Sequence, residues 1–101
     1  MVTSRTGTAA PTLTFAGGPA DQAYSVTLTA TGPTGAIVGL TPVQITKGMT
    51  AEQVAAAVAT ELNGKQDASS TDTLQATSAG GVVSVSEAGG GTISALTAVI
   101  A

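Results

Sequence analysis

The residues able to do chemistry are few. The chain carries Asp21, Asp67, Asp72, Glu52, Glu61 and Glu87 as acids and Arg5, Lys47 and Lys65 as cations, with eight Ser and no His or Cys. Without His and Cys, the usual ligands of a transition-metal centre are missing. Thiolate zinc sites, iron–sulfur clusters and disulfides are missing with them. A serine nucleophile would have no imidazole to take its proton. A serine–lysine pair with Lys47 or Lys65 is conceivable, but no spacing supports one. Asp67 and Asp72 share a loop but lack the dense oxygen-ligand pattern of a calcium loop, so they read as solvated carboxylates. Glu52 and Glu61 read as solubilising groups on the outer face of a helix. Gly89-Gly90-Gly91 is followed by neither Gly-Lys-Ser/Thr nor a helix start, so the phosphate-cradling mechanism is absent. The triplet reads as a mobile or edge-bending linker. The expectation is a protein that is not an enzyme, with no catalytic residue, no cofactor and no metal.

The same inventory limits the partners. Neutralising a phosphate backbone takes several clustered cations, and three cations in a chain of net charge −3 do not supply them. Phe15 and Tyr24 are the only aromatics, too few for a base- or sugar-stacking platform. Both sit on apolar strand faces and read as core anchors. No stretch approaches the length of a membrane span. Residues 1–7 lack the apolar run of a signal peptide. Charged residues are only 9% of the chain and mean hydropathy is +0.37, which argues against intrinsic disorder.

The 101 residues make one small domain. Thr12–Ala16 alternates as a first strand, and Ala23–Thr31 is the clearest one. Its Tyr24, Val26, Leu28 and Ala30 share one face, and Ser25, Thr27, Thr29 and Thr31 share the other. Gly32-Pro33-Thr34-Gly35 signals a turn, and Val43 with Ile45 marks further strand. A helix over 51–62 is well signposted. Thr50 and Gln53 form a T-x-x-Q capping box, with Met49 placed to staple onto Val54. Ala51, Val54, Ala55, Val58 and Leu62 make the apolar stripe, and Asn63-Gly64 closes the helix. Residues 73–78 and 82–86 around Ala79-Gly80-Gly81 read as a hairpin. Thr92–Ile100 reads as a last strand with apolar residues on both faces, which suggests cover from the domain on one side and from something else on the other. The order is β-β-β-α-β-β-β. It predicts an α+β fold: a mostly antiparallel β-sheet or sandwich with one short α-helix packed on it. Residues 1–11 are small and polar and read as an N-terminal arm, held by the domain or by a partner, on the single domain 12–101.

One stretch resembles a known module. Tyr24-Ser25-Val26-Thr27-Leu28-Thr29, then Gly48-Met49-Thr50-Ala51-Glu52-Gln53-Val54-Ala55-Ala56-Ala57-Val58-Ala59 through Leu62-Asn63-Gly64, then Leu74-Gln75-Ala76-Thr77 and Gly81-Val82-Val83-Ser84-Val85, follow one another in this chain. This resembles the β-β-α-β-β module of tailed-phage virion proteins, including contractile tail sheath proteins. The likeness covers residues 23–89. Sheath proteins are much longer, so the resemblance implies a small accessory virion protein built on the same module. The family has no catalytic residues to carry over.

Two function classes stay open within that resemblance. One is a capsid cement or decoration protein that binds and stabilises a phage capsid shell, often as a symmetric oligomer. The other is a tail component, such as a tube, adaptor or fibre-base protein. A third class, a secreted Ig-like or adhesin module, lacks the signal peptide it would need. The expected partners are the major capsid protein or another virion protein and further copies of the chain, with no nucleic acid and no membrane. Localisation would be the virion, assembled in the host cytoplasm. The candidate partner contacts are Val2 and Arg5 in the arm and Ile93, Leu96, Val99 and Ile100 around the last strand.

Overall fold

A computed structural model describes residues 5–6, 11–17 and 19–100. Nine strands and one helix run in the order β1 (Arg5–Thr6), β2 (Thr12–Thr14), β3 (Tyr24–Thr31), β4 (Ile37–Val38), β5 (Val43–Ile45), α1 (Ala51–Leu62), β6 (Gln66–Asp67), β7 (Leu74–Ala79), β8 (Val82–Glu87) and β9 (Ala95–Ile100). The class is α+β, and every strand pairing is antiparallel.

The strands form three sheets, ordered β1-β2-β8-β7, β5-β3-β9 and β4-β6. In β3 the alternation holds: Val26, Leu28 and Ala30 are buried while Thr27 and Thr29 are exposed. β3 is the centre of its sheet because it is long enough to pair on both sides. Tyr24 to Val26 face β5, and Val26 to Thr31 face β9. β8 is an inner strand of the other large sheet, with Val83 and Val85 buried. Gly80 and Gly81 have φ of 58° and 90°. These values suit a two-residue type I′ turn, whose central residues both need positive φ. Gly81 is also pressed against the Phe15 carbonyl: a Cβ there would lie 2.6 Å from that oxygen.

The helix covers the residues that its signals mark. Thr50 Oγ1 accepts from the Gln53 amide at 3.2 Å, and Gln53 Oε1 accepts from the Thr50 amide at 2.9 Å, completing the capping box. Val54, Ala55, Val58, Ala59 and Leu62 are buried on β7 and β8; Ala51 is half-buried and Ala59 takes its place in the stripe. Gly64 carries φ of 84° just past the C-cap Asn63. The side chains of both large sheets and of α1 join one core, with Phe15, Leu13, Leu62 and Leu74 among its largest members.

The two-residue strands β1, β4 and β6 add to the expected element order. Ile93 falls in the segment before β9, where the Ser94 amide donates to the Thr31 carbonyl at 2.9 Å. That bond interrupts the alternation, so Ile93 turns inward with Leu96.

Candidate functional site

The expected partner contacts divide sharply. Ile93 and Leu96 are each 0% exposed and belong to the chain's own core, so neither meets a partner in this fold. Ile100 is half-buried and packs on that core. Val99 is 59% exposed, the more open of two large exposed hydrophobics among the described residues, the other being Val38. Val2 lies outside the described residues. Arg5 pairs through its backbone with Leu13 as part of β1. Pro11, also assigned to the arm, is buried, and its carbonyl accepts from the Val85 amide at 3.0 Å. Arg5, Thr6 and Pro11 therefore lie with the sheet, so the described part of the arm is held by the domain's own body.

Val99 sits on the outer face of the β5-β3-β9 sheet. Register places it opposite Thr27, with Thr97 opposite Thr29 and Ala95 opposite Thr31. The Thr29 and Thr97 hydroxyls hydrogen-bond across the two strands. Ser25 and Gln44 extend this face on the β5 side. None of these residues is charged. The second apolar face of β9 thus reduces to Val99 and a half-buried Ala95, set among threonines.

The acids are placed otherwise than the sequence suggests. Asp67 and Asp72 are 4% and 3% exposed, so they are not solvated loop carboxylates. Asp67 accepts from Ser69 Oγ at 2.6 Å and from the Thr71 and Asp72 amides at 2.8 and 2.9 Å. The Ser69 hydroxyl, then the Asp72 and Thr71 amides, hold its pKa below the ordinary carboxylate value. Asp72 reaches across to the turn after β3, where it accepts from the Thr34 amide at 2.7 Å and from Thr34 Oγ1 at 3.1 Å. The close approach needs glycine: a Cβ on Gly32 would lie 2.7 Å from Asp72 Oδ2.

Glu61 and Glu87 do similar work. Glu61 accepts from the Thr41 amide and hydroxyl at 3.0 and 3.1 Å and pairs with Lys65 at 3.2 Å. It pins the segment before β5 to the helix, a role beyond solubility. The Thr41 amide is the main cause of its lowered pKa, helped by Lys65 and the Thr41 hydroxyl. Glu87 accepts from the Gly89 and Gly91 amides at 2.6 and 3.1 Å, which lowers its pKa as well. The glycine triplet is therefore an organised loop rather than a mobile linker. Glu87 occupies amides that a phosphate would need. Gly91 also packs tightly on Pro33, since a Cβ there would fall 2.3 Å from the proline ring. Tyr24 is only half-buried; its hydroxyl donates to Asp21 at 2.6 Å, and that bond raises the tyrosine pKa. Phe15 is a core residue as expected.

These carboxylates accept hydrogen bonds from loop amides and hydroxyls. An open groove of about 420 Å³ runs between α1 and β7, lined by Ala56, Thr60, Asn63, Ala76, Thr77 and Ser78 among others. No titratable side chain lines it. Among the described residues no group of three or more His, Cys, Asp or Glu could hold a metal ion, and no helix is long and apolar enough to cross a membrane. The loop roles of Asp72 and Glu61 carry no sequence signal, because their partners are main-chain groups far along the chain. Asp67 and Glu87 act on amides two to five residues ahead, and the Asx-turn propensity of Asp before Ser and Thr could have found the first. No protein-family model, curated protein or solved structure matches the chain.

Proposed function

We propose that the chain is a non-enzymatic structural protein of a tailed-phage virion, a cement or decoration protein that docks on the capsid shell. One observation carries the reading: the outer face of β3 and β9 is free of charged residues and centred on exposed Val99. Such a face is suited to lying against other protein, because covering it desolvates hydroxyls and methyls and leaves no buried ion behind. With the two-residue strands β4 and β6 set aside, the succession β3, β5, α1, β7, β8 is in keeping with the β-β-α-β-β order of the virion module that the sequence resembles. The hydrogen bonds that Asp67, Asp72, Glu61 and Glu87 accept from loop N–H and O–H groups give these acids a structural role in keeping with that reading. The major capsid protein is the proposed partner, with further copies of the chain around it, in a particle assembled in the host cytoplasm.

The test is co-sedimentation of the purified chain with phage shells stripped of accessory proteins. Binding should saturate at a fixed number of copies per capsid subunit. Val99→Asp should weaken it by about tenfold or more while leaving the circular dichroism unchanged. Saturable binding to tail tubes and none to shells would replace the capsid reading with the tail one. Binding to neither would overturn both.

A further inference from the structure

Asn63 is the single asparagine of the chain and is followed by Gly64, whose nitrogen no side chain shields. Both residues are exposed at the end of α1. We propose that Asn63 is the chain's intrinsic deamidation site and that the fold gates it, so that the reaction runs only after the helix end has lifted off β7. This inference concerns the chain's covalent ageing and stands whatever particle the chain binds.

The chemistry needs only water. The Gly64 main-chain nitrogen loses its proton to solvent base and attacks Asn63 Cγ. A new C–N bond closes a five-membered succinimide, and the side-chain nitrogen leaves as ammonia. Water then opens the ring at either carbonyl, giving aspartate or isoaspartate. The net change is ammonia exchanged for water, with nothing oxidised or reduced.

Both reacting groups are engaged in the folded chain. The Gly64 N–H donates to the Leu74 carbonyl at 2.8 Å. Asn63 Oδ1 accepts from the Ala76 amide at 3.1 Å. The Asn63 amide itself still donates to the Ala59 carbonyl at 2.9 Å, so the residue is held as the last helical donor. Attack requires the Gly64 nitrogen to leave Leu74 and the side-chain amide to swing away from Ala76. Both bonds cross the same seam between α1 and β7, so one local opening frees both partners. Such openings at element ends are common and far less costly than global unfolding.

The products loosen the seam that restrained them. Isoaspartate adds a methylene to the main chain at the C-cap and displaces the Gly64 nitrogen from Leu74. Aspartate keeps an acceptor for Ala76 but places a negative charge at the negative end of the helix dipole.

The experiment follows the mass of the peptide containing residue 63 in the full chain, held at mildly alkaline pH with and without denaturing urea. Conversion in the native chain should be slower than in the unfolded chain by about tenfold or more. The slowing should match the hydrogen-exchange protection of the Gly64 amide in the same buffer. Asn63→Gln, which would need a larger ring to react, should remain unconverted over the same period. Equal rates in the folded and unfolded chains would overturn the gating. So would slow conversion beside a freely exchanging Gly64 amide. A mass shift of the same rate in Asn63→Gln would overturn the site.

Discussion

Gly32→Ala should have opposite effects in two backgrounds, because the cost lies in one carboxylate. In the native chain the new Cβ would stand 2.7 Å from Asp72 Oδ2 and 3.2 Å from Asp72 Cβ. The carboxylate must then give up the Thr34 amide, a bond of 2.7 Å. A hydrogen bond to a charged acceptor contributes about 1.5–3 kcal/mol. Thr34 is itself exposed, so water recovers part of that, and about 2 kcal/mol is the reasonable loss. Gly32 is not among the glycines with positive φ, so alanine adds no backbone strain there. Restricting the unfolded chain returns about 0.4–1 kcal/mol. The net cost of Gly32→Ala is therefore about 1–1.5 kcal/mol, or roughly 4–12 °C in Tm for a domain of this size. Asp72→Ala alone should cost about 2 kcal/mol by loss of the same bonds. Once that carboxylate is gone, Gly32→Ala meets only the remaining Cβ and should be neutral or slightly stabilising. Urea unfolding followed by circular dichroism gives all four corners of the cycle, provided that the denaturant slope stays constant. Gly32→Ala costs of the same sign and size in both backgrounds would refute the reasoning.

Other expectations are simpler. Leu96→Ala should cost about 2–5 kcal/mol, as for a fully buried leucine, whereas Val99→Ser on the opposite face of β9 should stay within about 0.5 kcal/mol; thermal melts of the two variants compare them directly. Thr50→Ala removes the helix N-cap and should lower stability by about 1 kcal/mol in the same assay, with helix content in the folded state unchanged. The lowered pKa values of Glu61, Asp67 and Glu87 mean that the unfolded chain takes up protons first on acidification. Their contribution is complete above the ordinary carboxylate range and is lost as pH falls through the lower folded values. Stability should thus be flat near neutrality and fall below about pH 4.5, less steeply in Glu87→Gln; an equally steep fall in that variant would exclude Glu87 as a contributor.

The parts of the fold that the sequence reveals are those whose cause is local. The alternation of Val26, Leu28 and Ala30 with threonines, the Thr50–Gln53 box and the Gly80-Gly81 turn each lie within a few residues of their effect. The errors share a different cause. Ile93 looks like a strand residue of the outer face until the Ser94–Thr31 bond is known, and that bond joins residues 63 positions apart in the chain where β3 ends and β9 begins. Asp72 looks solvated until Thr34 is brought beside it, across the β4–β6 pairing. Polar loop residues are ambiguous in sequence because the same composition serves solvation and internal hydrogen bonding. Among the described candidate contacts, Val99 is the open apolar side chain. The half-buried Ile100 and the buried Ile93 and Leu96 are apolar for the ordinary reason that they fill the core.

The carboxylate anchors have a consequence for how the fold responds to its medium. Asp67, Asp72 and Glu87 are stabilised by N–H and O–H dipoles, and the Glu61–Lys65 contact is the one ion pair among the described residues. Dissolved ions weaken attraction between exposed full charges across several ångströms, but they barely touch an oxygen seated on an amide. The loops should therefore keep their shape from dilute buffer to concentrated brine. A coat protein of the kind proposed would meet changing salt, and joints of this kind tolerate it.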